Sequence, residues 1–282
     1  MAVPSKPVLI TGCSSGIGHA TAARLADSGW RVYATARRPE TLTDLRDRGC
    51  KTLALDVTDE ASMRAAVGAV IDAEGSVGVL VNNAGYSQSG AVETVPIDEV
   101  RRQFETNVFG LLRMCQLVLP GMRARRWGKI VNISSMGGRL VFPGGGIYHA
   151  TKYAVEAISD ALRFEVRGFG VDVIVIEPGL IVTNFGEVAA GSVEAAGDGD
   201  AYADFNRRVA KLTEEAYKGP MARLGAGPDA VAKAIERAIS SRRPRARYPV
   251  TASARLMIGQ RRLVPDRVWD LIMRTQYPSP GA

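Results

Sequence analysis

The 282-residue chain predicts an α/β fold, a doubly wound parallel sheet with helices on both faces. Three observations carry this. Short runs rich in Val and Ile are apolar almost throughout: "PVLIT", "RVYATA", "KTLAL", "VGVLVN", "GKIVNIS" and "VDVIVIEP". Such runs suit strands buried on both sides. Amphipathic segments of helical period lie between them, at 16–28, 40–48, 60–74, 100–124 and 147–168. A glycine-rich turn, "TGCSSGIG", joins the first strand to the first helix.

The elements follow in order. Each apolar run is bounded by Gly, Asp or Pro and predicts a buried strand, and each alternation with a helix predicts a βαβ unit. From 184 to about 227 the pattern breaks down. "GEVAAGSVEAAGDGDAYADF" is small, polar and glycine-rich, and "NRRVAKLTEEAY" then reads as a helix. A long irregular segment directly after the sixth strand is expected to be a lid. Residues 229–240 return to helix, "ARYPV" adds a last strand, and 254–275 form an amphipathic tail. No linker or repeat divides the chain, so 1–282 is expected to be a single domain.

Composition narrows the classes. A 46% hydrophobic and 23% charged chain is ordinary for a globular protein. Cys13, Cys50 and Cys115 are odd in number and lack metal-ligand spacing, which predicts a reduced, cytoplasmic setting with no disulfide framework and no metal site. No leader is evident in "MAVPSKPVLITG", and no apolar run approaches the roughly 20 residues that span a bilayer. The net charge of +7 gathers late, in "SSRRPRARYP" and "GQRRLVPDR", without interleaved aromatics. Nucleic acid is therefore not an expected partner.

Gly12, Gly16 and Gly18 let the backbone turn tightly and approach a pyrophosphate at a helix N-terminus. Their spacing is G-x-x-x-G-x-G. Tyr148 and Lys152 lie one helical turn apart on one face. A phenol titrates near ~10, and an ammonium about a turn away would lower that value. Alone, either motif arises by chance.

With "NNAG" at 82–85, "NISS" at 132–135, "YHATK" at 148–152 and "PGLIVT" at 178–183 in this order, the chain resembles the short-chain dehydrogenase/reductase family. It is most similar to the hydroxysteroid, retinol and acyl-dihydroxyacetone-phosphate reductase branch. The resemblance implies a Rossmann-like fold and hydride transfer between a nicotinamide dinucleotide and a carbonyl or alcohol, without metal. Tyr148 would be the acid/base, and Lys152 would lower its pKa and bind the nicotinamide ribose. Ser135 would polarise the substrate oxygen, with Ser134 as the alternative, because strand alternation lets only one of them face the substrate. Asn107, mid-helix in "ETNVFG", would hold a proton-relay water. The dinucleotide would meet Gly12, Ser14, Ser15, Gly16, Ile17 and Gly18 in the first loop, and Asp56 and Val57 at its adenine. It would also meet Asn83, Ala84 and Gly85, then Pro178, Gly179, Ile181 and Thr183, with Thr183 on the carboxamide.

After the second strand no acidic residue stands where NAD-dependent relatives place one, and Arg37 follows instead. Arg37 with Ser15 predicts NADP(H) in preference to NAD(H). The substrate is expected to be lipophilic, with Val188, Val193, Tyr202, Phe205 and Leu212 of the lid and Leu140–Phe142 lining its pocket. The tail is expected to cap the domain's own core or a subunit interface, an anionic membrane surface being the alternative partner. The resemblance further implies a homodimer or homotetramer through the helices at 100–124 and 147–168, whose outer faces carry Arg101, Arg102, Glu105, Arg163 and Arg167. Four residues are expected to be structural: His19, His149, Glu177 and Trp127. A dinucleotide-binding regulator without turnover is the alternative function, but such proteins usually lack the tyrosine or the lysine.

Overall fold

Alternate residues of the central strands point into two separate cores. Val8 and Ile10 of β1 (Pro7–Ile10) face one side and Leu9 the other. β4 (Val79–Asn82), β5 (Gly128–Ile133) and β6 (Val171–Glu177) divide in the same way. This is the two-residue side-chain period of a strand covered on both faces. The computed structural model describes residues 6–183, 185–193, 200–218 and 224–280, apart from the side chains of residues 187, 188 and 218.

Among the described residues the sheet has seven strands, ordered β3-β2-β1-β4-β5-β6-β7 and all parallel, with β2 at Arg31–Ala36, β3 at Lys51–Ala54 and β7 at Arg247–Pro249. One core lies under α1 (Gly16–Asp27), α2 (Thr43–Asp47) and α9 (Pro228–Ser240). The other lies under α3 (Glu60–Glu74), α5 (Leu111–Ala124) and α6 (Gly146–Val166). The direction of winding reverses between β1 and β4, so a crevice opens at their carboxyl ends. The expected Rossmann-like architecture is thus the observed one.

β3 was expected to be buried, yet Lys51 and Ala54 are exposed and Thr52 and Leu53 only partly covered. It is the edge strand, and an edge has no neighbour to complete its cover. The expected helix at 100–124 begins earlier and is not continuous. α4 (Ile97–Phe104) runs through a π turn (Glu105–Gly110) into α5. The turn presses Gly110 against Val57, where a Cβ would lie 2.4 Å from the Val57 carbonyl oxygen.

Residues 184–227 are not an irregular stretch where they are described. α7 (Phe185–Gly191) and α8 (Ala203–Lys218) are helical and anchored. Gln88 donates to the Ser192 carbonyl (2.8 Å), Ser89 N–H to Ser192 Oγ (2.9 Å), and Ala91 N–H to Asn206 Oδ1 (2.9 Å). The tail also differs from expectation. It is two helices, α10 (Ala252–Leu263) and α11 (Asp266–Arg274), broken at Pro265. Proline lacks an N–H and drives its predecessor extended, and Val264 has φ −94° and ψ 119°.

Polar groups fix the carboxyl ends. Asn82 of β4 donates to Asn132 of β5 (3.0 Å), and Asn132 donates to Ser159 of α6 (2.9 Å), all of them buried. Buried Lys129 donates to the carbonyls of Ile239 (2.9 Å) and Ser241 at the end of α9, closing a helix terminus that would otherwise be unpaired.

Candidate active site

The loops leaving β1, β2, β3, β4, β5 and β6 line one cavity of about 1640 Å³. Gly12 (φ +71°) and Gly16 (φ +59°) adopt left-handed backbone, which side chains resist. Ser15 caps α1 in extended conformation without a side-chain cap bond, so the first N–H groups face the cavity unclaimed by its hydroxyl. Gly12, Ser14, Ser15, Gly16 and Ile17 line it. Gly18 does not, contrary to expectation. It is buried behind the loop, where an added Cβ would lie 2.3 Å from the Gly12 carbonyl oxygen and 2.5 Å from Asn83 Nδ2. Its missing side chain allows helix and strand to approach rather than touching a ligand.

Asn83 completes this cradle from β4. Its Nδ2 donates to the carbonyls of Thr11 and Gly12 (both 2.9 Å), and Thr11 Oγ1 accepts from the N–H groups of Asn83 and Ala84 (both 3.0 Å). Glycines held open, uncapped helix N–H groups and a cavity of this volume fit a dinucleotide. Arg37 and Asp56 line the cavity as well. Asp56 Oδ1 accepts from the backbone and hydroxyl of Thr58 (2.9 and 2.8 Å), which orients the carboxylate. Val57, Ala84, Gly85, Pro178, Gly179, Ile181 and Thr183 line it further along.

Tyr148 and Lys152 project from the first two turns of α6 and share the cavity with Ser135. Lys152 is buried, and its Nζ donates to the Ile133 carbonyl (2.9 Å) and lies 5.7 Å from the Tyr148 ring centroid. Burial pushes the Lys152 pKa down to about 8, opposed by the carboxylate of Glu156 one turn on. Tyr148 was expected to have a lowered pKa. Instead burial raises it, and the hydroxyl of Ser135 beside it works the other way. The lysine's charge therefore does not offset the loss of water around the phenol.

The two serines separate. Ser135 accepts from Gly137 N–H (3.0 Å) and remains on the cavity beside Tyr148. Ser134 also lines the cavity, but its Oγ is buried without a hydrogen-bond partner among the described residues, 2.7 Å from where a Gly138 Cβ would sit. Asn107 does not line the cavity. On the π turn its amide is consumed by the loop after β4: Nδ2 donates to the Tyr86 carbonyl (2.9 Å) and to Thr151 Oγ1 (3.1 Å), and Oδ1 accepts from Tyr86 N–H (3.1 Å). This places it behind Gly85 as a strut of that loop.

The residues expected to be structural are so placed. His19 pairs with Asp44 (2.6 Å) near the surface. Glu177 accepts from Arg139 (3.1 Å) and lies 3.4 Å from Arg247. Trp127 ends the turn into β5, with the ammonium of Lys6 over its ring. His149 reaches the cavity wall, but both its nitrogens are occupied. Nδ1 donates to the Gly137 carbonyl (3.0 Å), and Nε2 accepts from Phe142 N–H (3.3 Å). It thereby ties down the loop after Ser135.

The cavity is also lined by Phe185, Val209, Tyr217 and Met273, which the sequence did not single out, and by Trp269 of the tail. Of the expected lid residues, Leu212 lines the cavity. Tyr202 instead donates to Glu93 (2.6 Å), Phe205 packs on Tyr277, and Val193 does not reach it. The side chain of Val188 lies outside the described residues. Leu140 is buried under the tail with Trp269, Val141 is exposed, and Phe142 reaches the cavity.

Comparison with known proteins agrees with this fold. The short chain dehydrogenase family model matches residues 6–191. The 3-ketodihydrosphingosine reductase of Bacteroides thetaiotaomicron is 38% identical over 272 residues, covering 96% of this chain and 97% of that protein. A short-chain dehydrogenase structure from Streptomyces avermitilis superposes with TM-score 0.81 at 35% identity, over 98% and 99% of the two chains. The closed form of a serine dehydrogenase complexed with NADP+ gives TM-score 0.75 at 28% identity, over 87% and 94%. The chain belongs to the short-chain dehydrogenase/reductase family and is an NAD(P)-dependent oxidoreductase.

His149 supplies a pH test. Burial pushes its pKa down to about 4 from 6.5, so between these values the unfolded chain takes up a proton that the folded chain refuses. Stability contributed by this group is complete above 6.5 and is lost as pH falls toward 4. The slope of unfolding free energy against pH in that window should be smaller in His149→Gln than in the parent. Equal slopes, measured by urea unfolding, would remove His149 from this role.

Proposed function

We propose that the chain is an NADP(H)-dependent reductase or dehydrogenase of a lipophilic carbonyl or alcohol, with Tyr148 as its acid/base. The observation that carries this reading is the meeting of Tyr148, Ser135 and Lys152 on a single cavity whose far half is roofed by Phe185, Val209, Leu212 and Trp269. The relative from Bacteroides, named for reducing a sphingoid ketone, supports the lipophilic part.

When bound, the dinucleotide supplies or accepts the hydride. The raised pKa of Tyr148 keeps its hydroxyl protonated, which suits donation to a developing alkoxide in the reductive direction. Ser135 donates a hydrogen bond to the same oxygen and holds it against the phenol. Lys152, anchored on the Ile133 carbonyl, supplies positive charge behind both and would hold the ribose of a bound dinucleotide. Ser134, whose Oγ is buried against Gly138, is left without this role. Asn107 acts through the loop it braces. Asp56 would meet the adenine of a bound dinucleotide, and Thr183, which lies beside Gly16, would meet its carboxamide.

We further propose that Arg37, on the cavity where the loop leaves β2, clamps a ribose 2′-phosphate together with Ser15. The chain is proposed to be a homodimer or homotetramer through α4, α5 and α6. Besides their charged residues these helices expose apolar rings, with Phe164 85% and Phe109, on the π turn between them, 51% exposed.

Oxidation of NADPH, followed by absorbance, should proceed with long-chain ketones, steroids or retinoids. Small hydrophilic ketones turned over about tenfold more efficiently than any of these would overturn the lipophilic assignment. Tyr148→Phe should lower kcat by at least about 100-fold with little change in dinucleotide affinity by fluorescence titration. Near-parental turnover would refute the tyrosine's role. Arg37→Asp should invert the NADPH/NADH ratio of kcat/KM, and a parent that already favours NADH would refute the clamp.

A further inference from the structure

The two C-terminal helices are apolar on both sides. Their inner sides pack Ala254, Ile258, Trp269 and Met273 with Leu140. On a helix, residues about 100° apart in turn divide into faces. In α11 this puts Leu271 opposite buried Trp269 and Met273, flanked by Val268 and Ile272 on one side and Arg267 and Arg274 on the other. In α10 it puts Leu256 and Leu263 opposite Ala254 and Ile258, flanked by Arg255 and Arg262. The leucines are bare: Leu263 is 85%, Leu271 63% and Leu256 50% exposed. Core packing explains the inner stripe and leaves the outer one without an occupant.

We propose that this outer face docks the protein on an anionic lipid bilayer. An apolar stripe beside arginines is what an interfacial helix presents to acyl chains and headgroup phosphates. The two helices carry five arginines against two aspartates. Asp266 is spent on Arg261, and Asp270 lies toward the flank. Arg262, Arg267 and Arg274 have no ion pair or hydrogen bond among the described residues. A second copy seated on this face would bring together two patches that each carry five arginines against two aspartates. Val264 and Ile272 line the substrate cavity, and each adjoins an exposed leucine, Leu263 and Leu271. The docking face therefore borders the cavity mouth.

Vesicle co-sedimentation of the full chain tests this. Binding to vesicles of phosphatidylcholine with phosphatidylglycerol should exceed binding to phosphatidylcholine alone by at least about fivefold, and high salt should weaken it. Leu263→Asp/Leu271→Asp, at exposed sites outside the cavity, should lose that binding about fivefold or more. It should retain the parental unfolding temperature, oligomeric state and turnover of a small soluble carbonyl. Arg262→Ser/Arg267→Ser/Arg274→Ser should bind weakly and without salt dependence. Failure of the parent to sediment with anionic vesicles would overturn the proposal, as would undiminished binding of the aspartate variant. Dissociation of that variant's oligomer would identify the face as a contact between copies and overturn it equally.

Discussion

The close approach of Gly18 to Gly12, locked by the side chain of Asn83, is the constraint on which the rest of the molecule depends. It draws the first helix onto the first strand and fastens both to the loop after β4. No methyl group fits there. Because β1 and β4 flank the point where the sheet reverses its winding, this contact sets the width of the crevice. The buried relay from Asn82 through Asn132 to Ser159 extends the same order to α6, and so to the tyrosine and lysine it carries. Parallel strands are buried on both faces, and these side-chain amides couple the strand ends to the helix that bears the acid/base pair.

Electrostatics in the crevice are governed first by burial. Tyr148 moves up and Lys152 down, each toward its neutral form, and Glu156 opposes the shift at the lysine. Glu156 is itself held by Arg247, which also grips Asp160. The charge of the lysine is thus tied, through one turn of α6, to an ion cluster at the far edge of the sheet. A bound ligand that excludes water would strengthen all of these interactions together.

Local spacing was legible in the sequence, and long-range assembly was not. The glycine loop, the Tyr148–Lys152 turn and the alternating strands follow from periodicity over a few residues, and the fold follows from them. Pro265 was a visible signal that the tail must break, yet the apolar spacing on either side of it resembled one helix. The π turn at Glu105–Gly110 had no comparable signal, because an inserted residue leaves composition unchanged and shows only in where Asn107 points. The cavity roof was illegible for another reason. Phe185, Val209 and Trp269 come from three separate helices, and each lies in a pattern that packing alone would explain. The exposure of β3 depended on strand order, which one chain's periodicity does not encode.

The hydrogen bonds of Gln88 and Ser89 to Ser192, and of Ala91 to Asn206, have a consequence for motion. They join α7 and α8, over the cavity, to the chain that continues back to Gly85 and Asn83 beneath it. Swinging those helices outward means breaking bonds worth about 0.5–1.5 kcal/mol each. Lifting the roof therefore costs these contacts, and whatever orders the floor makes the roof harder to lift.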